Sequence, residues 1–521
     1  VGRLDAPHPP LTSTMRTYRV RFLAVFLVLF AWPSQAHAHV GSPDIVHEGM
    51  AGPYRVLVSV VPPEVIPGIA EVEVDTVDPD VQDVKLVPMP LQGDGAHFAP
   101  TPDDAVRVPG TSASYVARLW MMSAGSWQVR VSVLGTHGKG ELVVPVPALP
   151  MHTAAMQRSL GAVLLALMLL LGCGVISIVG ASVAEAELPA GLRPAATHLR
   201  RSRIARVIAA AIVLLVVCGG GVWWNAEARA YDQKVYKPIG MSVTVEDGAL
   251  SLRLVDPGWL STRHLDDWVP DHGHVMHLYM IRLPEMDRVY HLHPVPAESG
   301  HSYTHPLPPD LPAGHYQLYA DLVHATGLSE TAVAEIDLPS WSGPPYPDAD
   351  DTGASAPPLS RADVARTSAP MTAGTMVFVR DGGPLRADRV ERLVFRVDDE
   401  RGEPAKDLEL YMGMQGHAAI LRRTPRTFAH IHPSGSVPMA ALAVAAGGPD
   451  SFLPTAPEMR DMTRMHDMAG MPGMPKMQPE AALPSVVSFP YRFPGPGSYR
   501  IFVQVKRRGR IETATFDADV Q

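Results

Sequence analysis

Apolar and polar residues alternate along most of this chain, with the period of a β-strand. Tyr54-Arg-Val-Leu-Val-Ser-Val-Val, Ala70-Glu-Val-Glu-Val-Asp and Trp127-Gln-Val-Arg-Val-Ser-Val are separated by Pro and Gly, the writing of short half-buried strands joined by turns. The style returns near Met241–Val245, Leu250–Val255, Met276–Leu283 and Tyr316–Val323, and again across 372–521. A mainly β chain of tandem β-sandwich modules is expected.

The alternation stops twice. Between Arg158 and Glu185 lie 26 uncharged residues, and between Arg206 and Glu227 another 20, each enough for a helix to cross about 30 Å of hydrocarbon. A two-helix transmembrane hairpin over 159–226 follows. Its connecting loop 185–206 carries Arg193, Arg200, Arg201 and Arg203 against Glu185 and Glu187, which places that loop in the cytoplasm and the flanking modules outside. Neither span has a charge at its centre, so the pair reads as an anchor rather than a transport path. Trp223 and Trp224 mark the outer interface, and Cys173 and Cys218, inside the spans, read as packing residues. A third apolar run, Phe22 to Ala31, follows Arg16, Arg19 and Arg21 and precedes Ala36-His37-Ala38, the pattern of a secretory signal cleaved before His39. The expected order is an N-terminal extension and signal over 1–38, a sandwich over 39–150, the hairpin, a His-rich sandwich over 234–338, a Pro/Ser/Ala-rich linker over 339–371, and a sandwich over 372–521 with a Met-rich insertion at 438–485. The inner (plasma) membrane is the expected location, with both large regions on the periplasmic side.

Composition narrows the function. Charged residues make up 19% of the 521, below the usual quarter or so, and the net charge of −9 with only short basic clusters gives no surface for nucleic acid. Two cysteines exclude a disulfide framework or thiolate zinc site. GxSxG, P-loop, HExxH and GxGxxG motifs are absent, so binding is expected rather than catalysis. What stands out is 24 Met and 22 His, the soft and borderline donors that suit copper.

The histidines are placed unevenly. Ten fall in 264–324, where even spreading would give about 2.6. Gly273-His274 opens a strand and His291-Leu292-His293-Pro294 follows; Gly416-His417 and His430-Ile431-His432-Pro433 repeat the order. With Pro312-Ala-Gly-His-Tyr matching Pro496-Gly-Ser-Tyr downstream, the second and third modules read as diverged copies. Residues i and i+2 of a strand share a face, so each HxH presents two imidazoles together, at a strand end set by the following Pro. The candidate ligands are His272, His274, His277, His291, His293, His417, His430 and His432; the alternative is solvated or core-satisfied histidine. The second candidate is Met459, Met462, Met465, Met468, Met471, Met474 and Met477, spaced by three, with His466 among them. Pro472 and Pro475 bar a helix, whereas a polyproline II helix with three residues per turn aligns every thioether. Such a stripe suits Cu(I), the alternative being a flexible apolar seam that grips a partner. His39, once N-terminal, offers an amine and an imidazole for Cu(II), with His47, His97 or His137 completing a site.

His39-Val-Gly-Ser-Pro through Gly52-Pro-Tyr-Arg-Val-Leu-Val-Ser-Val-Val-Pro-Pro-Glu-Val-Ile-Pro-Gly is similar to the exported domain of YtkA-like and FixH-like bacterial membrane proteins. The HLHP or HIHP strand followed by Pro-Gly-x-Tyr resembles histidine-rich, heavy-metal-associated periplasmic domains, and His39 resembles the first residue of CopC-like copper carriers, whose downstream DxH motif this chain lacks. The resemblance implies immunoglobulin-like sandwiches and metal association. A membrane-anchored periplasmic copper-binding protein for buffering, trafficking or resistance is the expectation, with Cu(I) favoured over Cu(II), and a periplasmic copper carrier or membrane complex as partner. The alternative is a membrane-complex assembly protein whose Met-rich tract is a contact surface.

Overall fold

The computed structural model describes residues 44–521 except 79, 112, 190, 298–300, 358–366, 381–382, 424–426 and 448–481. The signal segment, His39, and the tract Met459–Met477 with His466 lie outside the described residues. Within them the alternating segments form antiparallel strands and the two apolar stretches form helices.

In the first module a sheet ordered Ile45–Ala51, Tyr54–Val61, Gly68–Thr76, Ser114–Met121, Val106–Arg107 faces one ordered Asp103–Asp104, Val81–Pro90, Gly125–Gly135, Gly138–Ala148. Val56, Val58, Val60, Val72 and Val74 share a buried core with Val84, Leu86, Val129, Val131 and Val133. These are the alternate residues of each strand, so period two in the sequence becomes one face in the fold.

The apolar helices, Arg158–Glu185 and Ala196–Asp232, form a hairpin. Leu164, Leu170, Leu214 and Leu215 point outward and are exposed, an apolar surface with no protein cover that fits a membrane. Where the helices meet, Ser202 Oγ donates to the Gly180 carbonyl at 2.6 Å. The second helix starts inside the expected loop and runs six residues past 226, because Ala and Arg are good helix formers. Its C-terminal end is tied down by Tyr231, whose hydroxyl donates to the Ile66 carbonyl at 2.7 Å.

The second module is one nine-stranded sheet. It is joined in its middle by a single parallel pairing, Gly240↔Val333, and bends there so that Leu250 and Leu252 pack with Leu278 and Leu318. The expected linker is partly structural: Trp341–Ser342 pairs with Asp310–Leu311, and Thr352–Ser355 adds an edge strand beside Arg288–Leu292. Composition hid this, since an edge strand held by backbone bonds needs no apolar alternation. The third module opens at Ser368–Met371, slightly earlier than expected, and encloses Phe378, Phe395, Phe489 and Phe516 between its sheets. Of the Met-rich insertion, Met439–Gly447 is a helix, and the chain re-enters a sheet at Val486.

The second and third modules are copies of one hairpin design. His277–Leu283 lies between Arg288–Leu292 and Gly314–Val323; His417–Arg422 lies between Thr427–Ile431 and Gly497–Arg507. These strands pack face to face through Tyr279, Ile281, Tyr319, Leu421, Phe428 and Phe502, all buried. Tyr319 and Phe428 stack at 4.3 Å and 9°. The first module joins this pair at the third: Glu48 N–H donates to the Ser434 carbonyl at 2.7 Å and Ser436 N–H to Val46 at 2.8 Å. Gly435, at φ 119°, permits it, since a Cβ there would stand 2.0 Å from the Val46 carbonyl oxygen.

Candidate metal centre

The repeat seen in sequence is real, but its register needs correction. The paired strands begin at His277 and His417, not at His274 and His417. Ahead of each stands a tight turn, Asp271-His272-Gly273-His274 in one and Tyr411-Met412-Gly413-Met414 in the other, each closed by a pair of backbone hydrogen bonds. Both central residues have positive φ, 52° and 89° for His272 and Gly273, 50° and 78° for Met412 and Gly413, as a type I′ turn requires. Gly416 has no such role, which is why matching Gly-His to Gly-His slipped the alignment. His272 and Met412 are thus equivalent, as are His274 and Met414, and a bulky residue held at positive φ is a strained position that calls for a reason.

Seven of the eight candidate histidines form a continuous set of ring contacts across the module interface, and His274 joins it by stacking on His293 at 3.9 Å. The HxH partners do share a face, with ring centroids 4.7 Å apart in both modules. They do not sit at a solvent rim: His277, His291, His293, His417 and His432 are 0–4% exposed, because the opposite module closes over them. Two separate triads place one ring nitrogen from each member within 4.8 Å of the others, His272/His417/His432 and His277/His291/His293; His274 with Asp348 and Asp350 makes a third, half-buried group.

Hydrogen bonds fix where the protons are. His277 Nε2 lies 2.9 Å from the Asp271 carbonyl and His417 Nε2 lies 3.2 Å from that of Tyr411. A carbonyl only accepts, so each Nε2 carries the proton and each Nδ1 presents a lone pair. Facing these lone pairs are His291 Nε2, at 3.2 Å, and His430 Nε2, at 3.1 Å. His291 gives its Nδ1 proton to Gln504 Oε1 at 3.0 Å, beside Tyr411 Oη at 3.1 Å, whose own proton goes to the Asp350 carbonyl. His430 Nδ1 stands 3.4 Å from Asp321 Oδ2, also an acceptor. Gln504 and Asp321 are equivalent strand positions, each serving the other module's histidine. In the second module, therefore, the neutral imidazoles of His277 and His291 confront each other lone pair to lone pair, and the equivalent rings of His417 and His430 repeat the close approach. The His277–His291 contact is unfavourable until a cation enters it; two nitrogens bound at 2.0–2.1 Å to one tetrahedral ion stand about 3.3–3.4 Å apart, so the rings need part only slightly to take an ion.

The remaining ligand atoms are also unspent. His293 Nδ1 is held by Asp351 Oδ1 at 3.0 Å, an outer carboxylate of the kind that orients metal-bound histidine, while its Nε2 is buried without a partner, as is Nε2 of His272. Neither ring nitrogen of His432 makes a hydrogen bond of normal geometry; the nearby Val437 backbone raises its proton affinity only slightly against the effect of burial. Each such buried atom costs about 1–3 kcal/mol. Burial, and then the neighbouring imidazoles, hold His277, His291, His293, His417 and His432 well below the ordinary histidine range. Neutral imidazole is the form that binds metal.

A family model described as a domain of unknown function, DUF8832, matches residues 371–521. No curated protein matches the chain. Among solved structures, the chicken CNTN1 FN1-FN3 domains align over 91% of this chain and 99% of theirs at 7% identity and a TM-score of 0.15. Salmonella alpha-2-macroglobulin aligns over 93% and 24% at 10% identity and a TM-score of 0.18. Scores this low carry no argument, and the sandwich assignment rests on the sheets themselves.

The other conspicuous residues of the His-rich segment serve the fold. Met276 and Met280 are core, and Met286 packs at the module interface. His324 is buried between Asp267 and Glu330 at 2.7 and 2.9 Å. His315 pairs with Asp337 on the surface, and His47 lies buried against the third module, its pKa pushed down to about 4 by burial. Sequence reasoning passed over Tyr411, Gln504, Asp321 and Asp351. The one signal for them was the Tyr411-Met-Gly-Met turn echoing Asp271-His-Gly-His.

Proposed function

We propose that this protein binds copper in the histidine cluster between its second and third modules and buffers or hands on the ion from a membrane anchor. The observation that carries the reading is the buried His277–His291 contact, where two lone pairs meet at 3.2 Å, repeated as a 3.1 Å approach of His417 to His430, each a little inside the spacing of two nitrogens that share one ion. A core that needed these residues only for packing would have placed one proton in the His277–His291 contact. Neutral imidazole donors suit copper and zinc alike; the methionine tract tips the choice to copper, with Cu(I) favoured. The signal-like segment before His39 and the arginine-bearing loop support a cluster outside the cytoplasm, where copper would be handled by exchange between carriers. Full-length protein purified in detergent and titrated with Cu(I) against a chromophoric chelator tests the reading. Retained copper that is lost in His291→Ala/His430→Ala is expected; copper binding unchanged in that variant overturns the assignment to this cluster.

A further inference from the structure

One of the two triads draws on a single module and the other on both. His277 and His291 sit on neighbouring strands of the second module, with His293 just past the end of one. His417 and His432 belong to the equivalent hairpin of the third, but their triad is completed by His272 of the second, whose ring lies 5.2 Å from His417 and 5.0 Å from His432. The turn that carries His272 is fastened to the third module: Ala440 N–H donates to Asp271 Oδ1 at 2.8 Å inside the interface. His272 itself is held at φ 52°, a costly conformation for a side chain of its size. Its side chain is buried and its Nε2 has no hydrogen-bond partner, with an oxygen of the Asp271 carboxylate 3.9 Å away as counter-charge. His417 donates Nε2–H to the Tyr411 carbonyl, so the nitrogen it can turn to an ion is Nδ1, the atom 3.1 Å from His430 Nε2. An ion among His272, His417 and His432 therefore meets His430 as well, and four imidazoles are a full tetrahedral set.

Resting on the metal-binding reading, we propose that His272, His417, His430 and His432 form a metal site spanning the two modules, whose ion clamps the second module to the third, while a separate ion at His277, His291 and His293 is ligated by the second module alone. Separating the modules takes a ligand off the clamping ion. By linkage, that ion stabilises the docked arrangement by as much as docking tightens its binding. The other ion keeps all three ligands whether or not the turn at His272 is docked. Release of copper from the spanning site thus frees the turn from the third module, and release from the other site does not.

The test uses the full chain in detergent with Cu(I) alone as probe, the seven tract methionines being replaced by Leu so that copper lost in a variant is copper lost from histidine. Retained copper is counted per chain. Amide exchange is followed by mass spectrometry in Met439–Gly447, which holds none of the ligands and carries the Ala440 bond to Asp271. His272→Asn removes the imidazole but keeps a residue that tolerates positive φ. It should retain one copper fewer than the parent and lose the slowing of exchange, about tenfold or more, that Cu(I) gives this segment. His432→Ala, made on the other module, should do the same. His293→Ala should also retain one copper fewer, yet keep the slowing. Undiminished copper in either His272→Asn or His432→Ala, or exchange in either as slow as in the parent, overturns the clamp. Loss of all cluster copper in each single variant means one shared site, which overturns the division and leaves metal binding standing. A parent that retains no copper, or whose copper is indifferent to His291→Ala/His430→Ala, overturns the metal-binding reading itself. Circular dichroism of each variant separates loss of a ligand from loss of the fold.

Discussion

At the scale of single residues, the cluster is held ready by groups that are not themselves metal ligands. The Tyr411 hydroxyl lies 3.1 Å from His291 Nδ1, beside the Gln504 acceptor, and gives its own proton to the Asp350 carbonyl. Tyr411→Phe leaves that carbonyl short of a bond, a cost of about 1–3 kcal/mol. It also removes one of the two oxygens that keep the His291 proton on Nδ1, away from the nitrogen that faces His277. We expect Cu(I) affinity to fall about tenfold, read by chelator competition, with the melting temperature lowered by a few degrees. A different histidine sets a pH dependence. Burial opposes the charge on His324, but the hydrogen bonds it donates to Asp267 and Glu330 and their negative charge outweigh it and raise its pKa above 6.5. The folded state then binds the proton more tightly than the unfolded chain. The stabilisation is complete below about pH 6.5 and is lost as pH rises through the folded value. In chelator-treated protein the melting temperature should therefore decline over that window, and His324→Gln should remove this part of the decline.

At the scale of elements, the site depends on two strands being pressed together more than on any loop. Phe428 is fully buried, stacks on Tyr319 and packs against Tyr279 at 5.3 Å. Phe428→Ala should cost about 3–5 kcal/mol and loosen the interface directly beside His430. Thermal unfolding and copper retention should fall together in this variant; copper retained at full affinity with the interface destabilised would show that each module binds by itself. The strands and both apolar helices were legible from residue pattern alone, because periods of two and long uncharged runs report burial directly. The edge strand Thr352–Ser355 was not, since it is held through main-chain groups. The turn carrying Met412 was missed for a related reason: its meaning lies in backbone angles, which sequence spacing does not display.

At the scale of the whole molecule, two exposed apolar helices interrupt a chain of sandwiches, and the first module packs beside the HIHP loop of the third across that interruption. A single side for all three modules is required for that contact. Cysteines introduced at the surface positions Ser132 and Ser498 should both react with a membrane-impermeant thiol reagent in intact cells, while one introduced in the loop near Arg193 should react only after lysis; the reverse pattern would invert the orientation. The sequence by itself determined the strand-rich modules, the helix pair, the duplication and the residue types of the candidate centre, because these follow from local periodicity and from repeated motifs. Only the tertiary structure decided that the two HxH pairs make one cluster instead of two rim sites, that His272 crosses to the other module, and that the protons of His277 and His291 are pinned so that their lone pairs meet. Those facts depend on how two copies pack face to face, and the geometry of an interface between segments well over a hundred residues apart leaves no trace in the spacing within either one.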